Sequence, residues 1–277
     1  MIRVGISGWT YPPWRGSFYP KGLPHKQELA YAAERMNSIE INGTFYSLQR
    51  PSSFALWRQQ TPDDFVFSVK GGRFITHMKR LLDPRASLAN FFVSGLLALG
   101  PKLGPILWQL PPNFGYAPGR LADFFTALPR THGEAVAIGA DHDQKLTGDR
   151  VLLTAEDPEQ PIRHALEVRH DSFKTPGLLD LLHDHRIAIV IADTAGKWPQ
   201  IEELTADFGY VRLHGADELY VSGYTDEGLD SWARKINFWS RQAPDFFVYF
   251  DNDVKVRSPY DAMALAERLG IAGRTGP

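Results

Sequence analysis

The sequence predicts one α/β domain folded as a TIM-like (β/α)8 barrel. Three observations lead there. Eight short runs rich in β-branched and aromatic residues punctuate the chain, and segments of helical patterning fall between them. The length, 277 residues, suits a single barrel. Neither a compositional break nor an internal repeat marks a second domain, so residues 1–271 read as one barrel and 272–277 as a tail. An open doubly wound sheet is the competing arrangement.

The eight expected strands are Arg3 to Gly8, Ser38 to Phe45, Phe65 to Lys70, Ile106 to Leu110, His164 to Arg169, Ile187 to Asp193, Gly209 to His214 and Phe246 to Asp251. Helices are expected over Gln27 to Met36, Ser53 to Gln60, Leu88 to Leu99, Gly119 to Leu128, Gly177 to Asp184, Leu229 to Arg241 and Tyr260 to Leu269. Ser258 and Pro259 stand ahead of the last one as a cap and first-turn pair. The weakest helix lies near Ile201 to Thr205, after Pro199. Between strands four and five, Thr131 to Ile162 breaks the rhythm and reads as an insertion, either a lid or an elaborated connection.

Side chains alternate faces along a strand. In IEINGTFY, Glu40 and Asn42 therefore face away from Ile39 and Ile41. The same alternation sets Lys70 apart from Val69, Gln109 from Trp108, Glu167 and Arg169 from Val168, Arg212 and His214 from Leu213, and Asp251 from Phe250. Asp193 ends strand six. These polar groups come late in their strands, and the C-terminal end is where barrel enzymes place their chemistry. Burial of ionised groups needs partners. Structural ion pairs inside the barrel, such as Glu167 with Arg212 or Glu40 with Arg169, are the alternative to a functional site.

Seven motifs follow in order: GWTYPPWRGSFYP, EINGTFY, KGGRFITH, LGPILWQLPPNF, EVRHDSF, YVRLHG and VYFDND. Over nearly the whole chain they resemble the bacterial and archaeal domain-of-unknown-function seventy-two family, the YecE-like proteins. The resemblance implies a TIM-like barrel and no particular reaction. Asp251 stands where that family usually has Asn, and Phe173 where Trp is common; the segment before strand five is longer.

Glu40 and Glu167 form a carboxylate pair suited to general acid and base roles, with Asp193 and His214 as further catalytic candidates. A glycosidase pair would stand about 5–5.5 Å or about 6.5–9.5 Å apart. Lys70, Arg73, Arg169 and Arg212 suit an anion, because arginine grips carboxylate or phosphate with a bidentate fork. Asn42, His77, Gln109, Asp251 and Asn252 complete the polar set, and Trp9, Tyr11, Tyr220 and Tyr224 offer aromatic faces for stacking. His170 is read as a turn cap, and Phe18 and Tyr19 as loop packing. Together these residues fit an enzyme (hydrolase, lyase or isomerase) acting on an anionic substrate of phosphorylated or nucleotide-like kind. The alternative is a non-catalytic binder of a phosphate-bearing ligand or single-stranded nucleic acid.

The cofactor is left unknown. Carboxylates and His214 could ligate a divalent metal, but no compact ligand motif occurs and the neighbouring cations oppose one. There is no GxGxxG, P-loop or GxSxG sequence. The net charge of −2 excludes a generally basic nucleic-acid coat but not a local basic pocket. Cysteine is absent, which removes disulfides, thiol nucleophiles and thiolate metal sites. No signal peptide or membrane span is read, so the expected location is cytoplasmic, without membrane partners. The sequence does not speak to oligomeric state.

Overall fold

The computed structural model describes Met1–Ile271. Eight parallel strands close into a barrel in chain order. They are β1 (Ile2–Ser7), β2 (Ser38–Ile41), β3 (Val66–Lys70), β4 (Leu103–Gln109), β5 (His164–Glu167), β6 (Ile187–Asp193), β7 (Phe208–Leu213) and β8 (Asp245–Phe250). The helices are α1 (Glu28–Ala33), the single turn α2 (Gly43–Tyr46), α3 (Pro51–Gln59), α4 (Pro84–Val93), α5 (Pro118–Ala127), α6 (His132–Gly139), α7 (Pro176–Asp184), α8 (Asp226–Trp239) and α9 (Ser258–Arg268). The expected tail, 272–277, lies outside the described residues.

Several boundaries differ from expectation, each for a local reason. β2 stops at Ile41, because Asn42 turns to helical angles and the Thr44 hydroxyl donates to the Ile41 and Lys70 carbonyls, winding GTFY into α2. The apolar run Leu88 to Leu99 is not one helix. It breaks at Gly95, whose φ of 107° only glycine adopts comfortably, and where a Cβ would lie 2.4 Å from Pro51 Cα. Described residues 194–207, between β6 and β7, carry no helix, so the one expected at Ile201 to Thr205 is absent. Ser258 is the first residue of α9 rather than its cap; Arg257 holds the cap position. The β4–β5 connection contains α5, α6 and a short 3-10 turn at Gly148–Arg150.

The chain divides into two compact units. One comprises Met1–Glu40, Thr61–Phe65 and the chain from Ala188; the other comprises Ile41–Gln60 and Val66–Ile187. In the first, β1 lies between β2 and β8, with Ser7 beside Glu40 and Gly5 beside both Ser38 and Tyr249. Gly5 is required there: a Cβ would fall 1.8 Å from the Ser38 carbonyl oxygen. Without that side chain, Ser38 Oγ and Tyr249 OH meet at 2.7 Å. Trp14, Phe18 and Tyr19 are buried and stack on one another beyond β1, which is the loop-packing role expected for Phe18 and Tyr19.

In the second unit Trp108 is the pivot. Fully buried, it touches Phe91 and Phe124 and donates from Nε1 to His164 Nδ1 at 3.2 Å. His164 therefore carries its proton on Nε2 and donates to the Pro129 carbonyl at 2.7 Å. Burial lowers its pKa to about 3, so the imidazole stays neutral.

Candidate functional site

The first unit contains a buried ion network on β1, β2, β7 and the residues after β8. Glu40 is fully buried and accepts four hydrogen bonds: from Ser7 Oγ at 2.7 Å, Tyr210 OH at 2.6 Å, Arg212 Nε at 3.1 Å and Arg212 Nη2 at 2.8 Å. Arg212 is equally buried and reaches Asp251 Oδ2 at 2.8 Å. His214 Nδ1 lies 3.1 Å from the same Asp251 oxygen, and Tyr220 sits edge-on to its ring. Desolvation by this packing, then the charge of Glu40, hold the Tyr210 hydroxyl well above its usual pKa, so it donates and does not ionise.

Beside this network, Asp193 accepts from Tyr224 OH at 3.1 Å, and burial raises its pKa. Asn252 is fully buried, donating to Asp261 and Ser222 and accepting from Ser258. Tyr11 donates its hydroxyl to the Ser7 carbonyl, and Tyr19 donates to that of Trp9. Asp253 was not singled out by sequence reasoning. Burial, then the neighbouring charge of Asp251, push its pKa up to about 6. A second acid one residue beyond Asn252 was the only available signal.

The second unit holds a different constellation. Glu167, fully buried at the end of β5, accepts from Arg169 Nε at 2.8 Å on Oε1, and Arg169 Nη2 makes an ion-pair contact at 2.7 Å with the same oxygen. Gln109 Nε2 lies 3.1 Å from each carboxylate oxygen. The expected ion pairs are thus exchanged: Glu40 holds Arg212 and Glu167 holds Arg169. Strand alternation named the right groups, but parallel register put Ser7, next to Glu40, on the Arg212 guanidinium.

His77 follows β3 within Phe74–Met78, a π-helical turn closed by Lys79 N–H donating to the Phe74 carbonyl at 2.8 Å. Such turns recur at functional sites. The backbone beyond is strained, with Arg80, Leu81 and Asp83 all at positive φ. The His77 ring meets Thr76 Oγ1 at 2.9 Å through Nδ1 and packs edge-on against Phe45. Its pKa falls to about 4. Burial is the largest cause, followed by the charges of Arg169, Lys70 and Arg73; Glu167 opposes them. Lys70 Nζ lies 4.6 Å from the Phe45 ring centroid. Arg73 is exposed and makes no ion pair among the described residues. Asn42 is half-buried, and its Oδ1 has no hydrogen-bond partner among them.

Phe45 also walls a pocket of about 500 Å³, lined by Tyr46, Leu48, Arg73, Phe74, Met78, Asn90 and Phe91 among others. Sequence reasoning missed this pocket, because it placed Phe45 in a strand and took α4 as one face of a longer helix. His170 caps the Asp171–Phe173 turn by accepting from Ser172 N–H, as expected. Among the described residues, no group of three or more His, Asp or Glu side chains could hold a metal ion, and no helix is long and apolar enough to cross a membrane.

Comparison with known proteins gives a consistent family and no activity. The family model described as "Protein of unknown function DUF72" matches residues 3–276. The chain is 26% identical to UPF0759 protein YecE of Escherichia coli (strain K12) over 261 residues, covering 92% of this chain and 88% of that protein. It is 23% identical to UPF0759 protein YunF of Bacillus subtilis (strain 168), covering 91% and 89%. A crystal structure of a DUF72 family protein from Thermotoga maritima is similar at a TM-score of 0.77 and 25% identity, covering 98% of this chain and 99% of that one. Another, from Enterococcus faecalis, has the same fold at a TM-score of 0.75 and 16% identity, covering 98% and 96%.

Proposed function

The chain belongs to the protein family of unknown function DUF72, and from its own residues we propose an enzyme that binds an anionic substrate at Lys70, Arg73 and Arg169 and uses His77 as its acid–base group. The carrying observation is the company of His77: the charges of Arg169, Lys70 and Arg73 all act on it, and Arg73 stands exposed at the mouth of the adjoining pocket. Arginine and lysine are the donors suited to an anion.

The same field sets the chemistry. With a pKa near 4, the His77 ring is neutral at pH 7 but a weak base. A bound anion cancels part of the cationic field and raises the pKa toward that of ordinary histidine. The substrate's own charge thus brings the base into its working range. Thr76 at Nδ1 fixes the ring and leaves Nε2, which has no hydrogen-bond partner among the described residues, for the substrate. Gln109 and Glu167 act as positioning residues for Arg169.

The test is a proton-NMR titration of the His77 ring, assigned by comparison with His77→Gln, with and without inorganic phosphate. The expected result is a pKa rise of about one unit, the effect of removing roughly 1.4 kcal/mol of repulsion. An unchanged titration in saturating phosphate would overturn the assignment. A second reading, ligand binding without turnover, is favoured by the saturation of Glu40 and Glu167 by arginines. Product formation from a panel of phosphate and carboxylate esters, lost in His77→Gln, separates the two.

A further inference from the structure

The cationic group around His77 and the 500 Å³ pocket share two residues. Phe45 turns its ring toward Lys70 and His77 and also lines the pocket. Arg73 lines the pocket and acts on His77. The rest of the wall is largely apolar, and part of it is exposed: Tyr46 is 70% exposed, Met78 63% and Phe74 49%. Exposed apolar side chains gathered around a concavity mark a binding site rather than ordinary surface.

Several polar atoms in that wall are already spent on the protein itself. Thr44 Oγ1 donates to the Ile41 and Lys70 carbonyls, and Ser87 Oγ to that of Pro84. Asn90 Oδ1 accepts from Asp143 N–H, and Ser47 Oγ accepts from Gln49. A purine or pyrimidine placed there would lose hydrogen bonds to water along its edges and find few in exchange. A hydrocarbon group loses nothing.

We propose that this pocket is the subsite for an apolar aryl or alkyl group of the anionic ligand, so that the substrate class is an amphipathic anion rather than a nucleotide. The proposal rests on the anion site of the preceding section. The anionic end meets Arg73 and the cations around His77, and the apolar end lies across Phe45 among Tyr46, Phe74, Met78 and Phe91. The amphipathic ligand thereby covers the exposed apolar wall.

The test is calorimetric titration of the full chain with four probes: inorganic phosphate, phenyl phosphate, hexyl phosphate and adenosine monophosphate. Phenyl and hexyl phosphate are expected to bind at least about tenfold more tightly than inorganic phosphate, the effect of burying most of one apolar side group. Adenosine monophosphate is expected to gain less than either. Tyr46→Ser and Met78→Ser, both at exposed positions that the fold tolerates, should remove most of that gain and leave phosphate binding unchanged; Arg73→Ala should weaken all four probes. Equal binding of phosphate and phenyl phosphate, or an equal gain for adenosine monophosphate, overturns the inference while leaving the anion site standing. Absence of phosphate binding to the parent chain, or phosphate binding unchanged by Arg73→Ala, overturns the anion site itself. A concentration-dependent dimer abolished by Met78→Ser would show a second copy on the pocket and also overturn the inference.

Discussion

Replacing Glu40 tests whether the buried network of the first unit holds the fold or serves the chemistry. Its carboxylate receives four hydrogen bonds, two of them from a guanidinium that is itself 0% exposed. In Glu40→Gln the amide nitrogen must face a donor, because every neighbour at that carboxylate donates. Arg212 then retains Asp251 as a partner but loses the charge opposite Nε and Nη2. Removing one member of a buried pair costs about 3–5 kcal/mol; the retained Asp251 contact argues for the lower end. Glu40→Leu combined with Arg212→Met removes both charges and fills similar volume, so it should cost less than the sum of the single changes by about 2 kcal/mol or more. Urea unfolding followed by tryptophan fluorescence measures all four corners of the cycle, with the slope checked for constancy. A Glu40→Gln protein within about 0.5 kcal/mol of the parent, or strictly additive changes, would refute the structural assignment and return Glu40 to the list of proton carriers.

Further outcomes follow from particular contacts. Gly71→Ala puts a Cβ 2.3 Å from Trp108 Cε3, and that indole is buried and tied to His164, so a loss of about 1–3 kcal/mol is expected in thermal or urea unfolding. Gly72→Ala, whose Cβ would meet only the Thr44 carbonyl at 3.8 Å, should be close to neutral and serves as its control. Asp253, with its pKa raised to about 6, keeps its proton longer in the folded chain than in the unfolded one. Its contribution is therefore fully present below about pH 4 and is lost as pH rises through 6. After allowance for partial exposure, the stability difference between the parent and Asp253→Asn should shift against the parent by about 1 kcal/mol between pH 4 and 7 in urea titrations; a difference independent of pH would contradict it.

The barrel was legible because its evidence is local and repeated. Each strand announces itself by β-branched or aromatic residues in a short run, and the order of strands in a parallel barrel follows the chain. Boundaries failed where a side chain competes with the ladder. Thr44 bonds the backbone at the end of β2 and makes a turn out of an apparent strand. Gly95 breaks a run whose apolarity suggested one helix. Alternation identified Glu40, Gln109, Glu167, Arg169 and Arg212 as inward groups, and all five are buried or nearly so. Which arginine meets which glutamate depends on neighbours in other strands and could not be read from one strand at a time. The π-turn at His77 left no periodic trace, and the pocket beside Phe45 left none because α2, the π-turn and α4 build it together from separate stretches of chain.

The exchange of ion-pair partners changes where a proton carrier should be sought. A carboxylate serves as acid or base when it has capacity left for a proton or a substrate hydroxyl. Glu40 is held by four donors, and Glu167 by the Arg169 Nε and the Gln109 amide. In both, those donors occupy the carboxylate oxygens that would receive a proton. His77 has the opposite surroundings: cations beside it and a π-helical turn holding it in place. Two carboxylates that looked like a catalytic pair in the sequence are therefore better understood as anchors, one for Arg212 and one for Arg169. The arginine that Glu167 aims is one of the three cations proposed to receive the substrate's charge, so Glu167→Gln should weaken phosphate binding through Arg169 even though the carboxylate itself would repel an anion.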